Sequence, residues 1–213
     1  MKKIIYLTSI IILLLSTIIF TTKVFSQEGE ERVSAFHKSL ELAYEGDYSS
    51  AISELTKVYN KFGKDYLINL RLGYLYYLNK DYDKSISYYQ KAIELTNNNS
   101  IEPMLGLTLP LAAKEKWNDV EKIYIKILNI DTKNYTANLR LGQIYFNRRE
   151  YSKAENFLSK VLESFTSDYE ANLYLGWTYF YLNKKSEAKE KFIRALMVSP
   201  KDKSALEGLN LVK

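Results

Sequence analysis

The chain has 213 residues, with 30 Lys and Arg against 25 Asp and Glu, a net charge of +5, no cysteine and one histidine. The lack of cysteine excludes disulfides, thiolate metal sites, a cysteine nucleophile and a lipid-modified N-terminal cysteine, and His37 has no second histidine to share metal or base chemistry with. Three of the basic residues and no acid fall within residues 1–26, which leaves 27 against 25, or +2, for the remainder; no basic run is interleaved with aromatics, so nucleic acid is not a predicted partner.

In chain order, Lys2 and Lys3, an apolar run over residues 4–20 and a polar Thr21-Thr22-Lys23 read as an export signal. Val24-Phe25-Ser26 puts a small residue before Gln27 for cleavage; if retained, the run at 4–20 is an N-terminal membrane anchor. Either outcome predicts an exported chain, periplasmic or otherwise extracytoplasmic, because the basic flank stays inside. Residues 27–32, with Glu28, Glu30 and Glu31, predict a short solvated acidic spacer.

A repeating pattern follows. Leu72-Gly73-x2-Tyr76, Leu141-Gly142-x2-Tyr145 and Leu175-Gly176-x2-Tyr179 each open a helix pair, and the last two glycines are 34 residues apart. Each is followed by a second apolar helix pattern: Tyr89 and Ala92, then Ala154 and Leu158, then Ala188, Phe192 and Ala195, closed by Pro200. Glycine lets two helices approach closely, alanines seven apart share one face, and no single helix buries its apolar side alone, so neighbouring copies must stack.

This pattern resembles the tetratricopeptide repeat (TPR). The resemblance implies an all-α, right-handed α-solenoid of about five helix-turn-helix repeats that binds a protein or peptide segment in its concave groove. The repeats fall at about 33–65, 66–98, 99–134, 135–168 and 169–202, with 203–213 as a capping helix. The first is degenerate, with Lys38-Ser39 in place of the leucine–glycine pair. The third reads Leu105-Gly106 as its pair and Leu109 for the tyrosine, and needs two extra residues before Trp117 aligns with Tyr82 and Tyr151. It also holds Pro110 inside its first helix, which predicts a kink or widening there. Asn69, Asn138 and Asn172 stand where the family prefers tryptophan, and predict a repeat-specific packing or hydrogen-bonding role.

No glycine-rich phosphate loop, HExxH or GxSxG is present, so neither catalysis nor a cofactor or metal is expected. The predicted partner-binding residues lie on the first helix of each repeat, on the face that lines the groove in the family. They are Leu70, Arg71, Tyr74 and Tyr77, then Leu107, then Arg140, Gln143 and Phe146, then Trp177, Phe180 and Tyr181. Trp177 and Tyr74 are the predicted anchors and Arg71 and Arg140 the orienting charges. The same aromatics also suit packing within the stack, and both readings stand at this point. A clamp for a C-terminal carboxylate is not expected, since Tyr74, Leu107, Gln143 and Trp177 hold the central line instead of Lys and Asn. Cell-wall glycan in the groove, and a structural subunit of an envelope complex working through its convex face or ends, are the alternative functions.

Overall fold

The computed structural model describes residues 27 and 29–213, and all regular structure among them is helical. The described residues form two compact units, one ending at Asn98 and the other running Asn99–Lys213. The export signal or anchor expected at 1–26 lies outside the described residues, and no described helix is long and apolar enough to cross a membrane.

The first unit holds α1 (29–44), α2 (Tyr48–Phe62), α3 (Tyr66–Leu78) and α4 (Tyr82–Leu95). The second holds α5 (Ile101–Ala113), α6 (Trp117–Ile130), α7 (Tyr135–Asn147), α8 (Tyr151–Ser164), α9 (Tyr169–Tyr181), α10 (Lys185–Val198) and α11 (Lys203–Leu211). Consecutive helices pack as hairpins, α3 on α4, α5 on α6, α7 on α8 and α9 on α10, and α11 closes against α9 and α10. In the first unit Ala35 of α1 joins Ala51, Leu55 and Val58 of α2 and Leu72 of α3 in one core. Residues 29–32, expected as spacer, instead form the first turn of α1. Glu31 pairs with Lys61 of α2 and Arg32 with Asp65, each at 2.8 Å, which ties that turn down.

Each hairpin closes through the same turn chemistry. In the α7–α8 turn Arg149 adopts φ 62°, its N–H donates to the Phe146 carbonyl, and the Glu150 N–H donates to the Tyr145 carbonyl, both at 2.9 Å. This is the left-handed helix stop that satisfies the last carbonyls of the first helix. The same pair of bonds recurs at Gly46–Asp47, Lys80–Asp81, Glu115–Lys116 and Asn183–Lys184. After the loops between hairpins, α3, α7, α9 and α11 are each started by a carboxylate or carboxamide: Asp65, Asn134, Asp168 and Asp202 accept the backbone N–H three residues on, a cap worth about 1 kcal/mol.

The asparagines of the repeat now have a role. The carboxamide of Asn172 donates to the carbonyls of Thr166 and Asp168 at 3.1 and 2.7 Å, stitching the incoming loop to the first turn of α9. Asn138 does the same to Thr132 and Asn134, and Asn69 to Gly63 and Asp65. All three side chains are buried. Asn69 Oδ1 receives the Tyr59 hydroxyl at 2.8 Å, whereas Oδ1 of Asn138 and of Asn172 has no hydrogen-bond partner.

A second periodic device joins neighbouring hairpins. The capping carboxylates of Asp168 and Asp202 use Oδ1 for their own helix and accept the hydroxyls of Tyr135 and Tyr169 on Oδ2, both at 2.7 Å. In the first unit Arg32 takes the tyrosine's place toward Asp65. The Asp202 carboxyl is held below its ordinary range, first by the Tyr169 hydroxyl and then by the Ala205 N–H. Tyr135 and Tyr169, donors to carboxylates, are pushed up to about 12.

The third repeat corrects the register expected for it. In α3, α7 and α9 the glycine is the eighth residue of a 13-residue helix; in α5, also 13 residues, the eighth is Thr108 and not Gly106. The repeat therefore reads Leu107-Thr108-x2-Leu111, with Met104 at the asparagine position and no extra residues. Tyr124 of α6 donates to Thr108 Oγ1 at 3.3 Å, where the second helix elsewhere meets the glycine. The helix runs through Pro110 at full length, so the ring forfeits the bond to the Gly106 carbonyl without ending α5.

Candidate functional site

The predicted site residues divide between the units. In the first unit they lie on α3. Tyr74 is 41% exposed, the most open of the four; Leu70 and Arg71 are half-buried, and Tyr77 rests its ring 6.1 Å from that of Tyr82. Arg71 donates to the Ser39 carbonyl of α1 at 3.1 Å, and its Nε is buried without a partner. Burial lowers its guanidinium from the ordinary value. Arg71 is thus a strut to α1, not the free orienting charge expected of it.

In the second unit Leu107 leaves the site. It is 4% exposed, because the corrected register makes it the core leucine equivalent to Leu72, Leu141 and Leu175. The outward position in α5 belongs to Leu109, 39% exposed. Arg140 and Gln143 do sit together, but with an acid that sequence reasoning overlooked. Arg140 donates to Gln143 Oε1 at 2.7 Å and lies 3.3 Å from Glu170 Oε2, which also accepts from Gln143 at 3.0 Å. The charge of Arg140 is therefore met within the protein.

Phe146, Trp177, Phe180 and Tyr181 converge. The i, i+3 and i+4 spacing of α9 puts Trp177, Phe180 and Tyr181 on adjoining faces, and Phe146 reaches them from α7. Tyr181 stacks on Tyr151 of α8 at 4.7 Å, and Phe146 meets Tyr174 edge-on at 5.3 Å and Tyr181 at 6.0 Å. Trp177 turns an edge to the buried Phe192 at 5.1 Å and to Phe180 at 5.6 Å, and its indole N–H donates to Ser204 Oγ of α11 at 2.8 Å. One side of each ring is thus packed. The other sides of Phe146, Tyr174, Trp177 and Tyr181 face an open hollow of about 310 Å³, lined also by Asn147, Leu173 and Ser204; Phe180 packs on Trp177 and Tyr181 and does not line it. Tyr181 remains 51% exposed at its rim.

Asn147, Tyr174 and Ser204 were missed, and little in the sequence could have found them. Tyr174 stands in the repeat position held by Arg71 and Arg140, and Ser204 comes from the cap. The arrangement supplies apolar surface with a few polar atoms at its edge, which suits an anchoring side chain. Among the described residues no group of three or more His, Asp or Glu is placed to hold a metal ion.

Residues 68–99 match one tetratricopeptide repeat model, and 135–166 and 169–202 match another. These are three of the hairpins; the third hairpin, where Thr108 and Met104 replace glycine and asparagine, falls outside the matched segments. No curated protein is similar to the chain in sequence. Solved structures are similar in fold. A tetratricopeptide repeat protein from Parabacteroides merdae has a TM-score of 0.74 at 18% identity, covering 86% of this chain and 72% of its own. YrrB, described as a TPR protein with an unusual peptide-binding site, has 0.69 at 16%, covering 89% and 97%. MamA has 0.69 at 21%, covering 79% and 92%. The chain carries tetratricopeptide repeats and has the fold of TPR solenoids.

Proposed function

We propose that these tetratricopeptide repeats form an exported, non-enzymatic scaffold that holds a partner protein through a peptide segment seated on α7 and α9. The observation that carries the reading is the open aromatic hollow beside Trp177: its rings are braced from behind by Phe192 and Tyr151 and leave their other faces to solvent. Braced aromatics lose little entropy when a side chain settles on them, so a modest contact yields affinity. That one of the similar structures is described as peptide-binding supports the same use of the fold. Export rests on the sequence of residues 1–26 and puts the stack outside the cytoplasmic membrane, where proteins of the envelope are its partners.

Photo-crosslinking in the native cell tests the site. A photoreactive residue at Tyr181 is expected to give a discrete protein adduct that Tyr174→Ala abolishes, and one at Lys189, exposed on α10, to give none. Absence of any adduct from Tyr181, or the same adduct from both positions, overturns the reading. Recovery of the protein in the cytoplasmic fraction would refute export.

A further inference from the structure

The hollow beside Trp177 does not stand alone. A second one, about 340 Å³, is lined by Trp117, Ile144, Asn147 and Arg148. Asn147 ends α7 and lines both. Two apolar recesses therefore flank one exposed carboxamide. Its donor and acceptor match the C=O and N–H of an extended peptide unit. Trp117, the first residue of α6, is 49% exposed, although a ring of that size is normally well covered.

The charges around the pair of recesses are unequal in their commitments. Acids near α7 and α9 are already engaged: Glu170 with Arg140 and Gln143, Asp168 with Tyr135, Asp202 with Tyr169. Cations on the edge formed by the turns α5–α6, α7–α8 and α9–α10 are engaged only in part. Arg148 pairs with Glu121, and Lys184 with Glu155 at 2.8 Å. Lys116 at the α5–α6 turn, Arg149 at the α7–α8 turn and Lys185, the first residue of α10, are exposed, and none has a carboxylate within ion-pair reach among the described residues. Against these three cations the same edge exposes two acids without an ion pair, Glu115 and Glu187, while Glu150 is met by Lys153, so a cationic surplus remains. The Arg149 backbone is fixed by its turn, so its charge is held at the edge. This edge adjoins the recesses directly, since Trp117 follows Lys116 and Asn147 and Arg148 precede Arg149.

We propose that the partner segment is acidic: an extended peptide whose two apolar side chains enter the recesses on either side of Asn147 and whose carboxylates face Lys116, Arg149 and Lys185. This rests on the groove reading above and adds the partner's chemistry to it. Separate recesses that take side chains one at a time favour a peptide over a lipid surface or a nucleic acid, which would need only the charges.

The test uses the intact chain and three labelled synthetic peptides, each with the same two apolar residues, Phe and Leu, and with Glu, Ser or Lys at every other position. Fluorescence anisotropy is expected to rank them Glu, Ser, Lys, with the Glu peptide about tenfold tighter than the Ser peptide at low salt and the gap closing as salt rises. Lys116→Glu combined with Arg149→Glu is expected to invert the order, Trp117→Ser to weaken the Glu peptide, and Lys189→Glu to leave the order unchanged; circular dichroism checks that each variant folds. Equal affinity for the Glu and Ser peptides, or preference for Lys, overturns the inference while the groove reading survives. Binding of none of the three removes both. Binding of polyglutamate without apolar residues as tightly as the Glu peptide marks a general polyanion surface and likewise overturns the proposal.

Discussion

The Phe192 ring makes a sharp test of the packing. It is fully buried between Gly176 of α9 and Gly208 of α11. A Cβ at Gly176 would lie 2.8 Å from two ring carbons, and one at Gly208 would come within 2.5 and 2.6 Å of Cε1 and Cε2, against ordinary contact at 3.4–4 Å. The ring has little room to retreat, since Gly208 abuts its tip, Gly176 lies along Cδ1 and Cε1, and Trp177 packs on it at 5.1 Å. Gly208→Ala should therefore cost about 2–3 kcal/mol, the upper part of the usual overpacking range. Alanine's helix propensity returns about 1 kcal/mol, for a net loss of about 1–2 kcal/mol and a melting midpoint lower by about 3–10 °C. Both tryptophans, Trp117 and Trp177, lie in the second unit, so urea unfolding followed by intrinsic fluorescence reports on it directly. Phe192→Leu in the same chain should recover part of the loss, because the shorter side chain makes room for the methyl. A Gly208→Ala protein as stable as the parent, or a double variant showing simple additivity, would refute the boxed-ring account.

Three further outcomes follow from the same geometry. Gly142→Leu should cost more than Gly176→Ala, since even a Cβ there falls 2.5 Å from Leu158 Cγ; an unchanged thermal transition would sink the α7–α8 pairing. Asn172→Leu should destabilise by about 1–3 kcal/mol, because it strips a buried donor from the carbonyls of Thr166 and Asp168; a neutral result in urea denaturation would show that the stitch contributes nothing. Tyr135 and Tyr169, raised to about 12 in the fold, ionise near 10 when unfolded. Their contribution is then complete below pH about 10 and lost as pH rises from there through 12; Tyr135→Phe with Tyr169→Phe should flatten that alkaline decline, and an unaltered slope in a pH series would discount the tyrosine–carboxylate bonds.

What could be read in advance was whatever recurs in residue type. The small-residue contacts at Gly142 and Gly176 and the buried Ala154, Ala188 and Ala195 follow from spacing alone, and the hairpin stack follows from them. The third repeat misled because Leu105-Gly106 imitates the motif two residues early. Its true markers had been replaced by Met104 and Thr108, and only helix boundaries reveal the alignment. That slip carried Leu107 into the predicted site, although it is core. The purpose of Asn138 and Asn172 was hidden because their partners are loop carbonyls four and six residues back, which carry no sequence signature. The aromatic part of the site was legible, since Phe146, Trp177, Phe180 and Tyr181 gather as their spacing requires. Its polar fringe was not: Asn147 and Ser204 reach it from the last residue of α7 and from the closing helix.

The divided carboxylates of Asp168 and Asp202 determine how the second unit comes apart under load. Each is at once the first rung of its own helix and the catch on the hairpin before it. Pulling from the C-terminus peels α11 and takes Asp202 with it, which deprives Tyr169 of its acceptor and loosens the α9–α10 hairpin next; freeing that hairpin removes Asp168 from Tyr135 in turn. Force would therefore be released catch by catch, in hairpin-sized extensions.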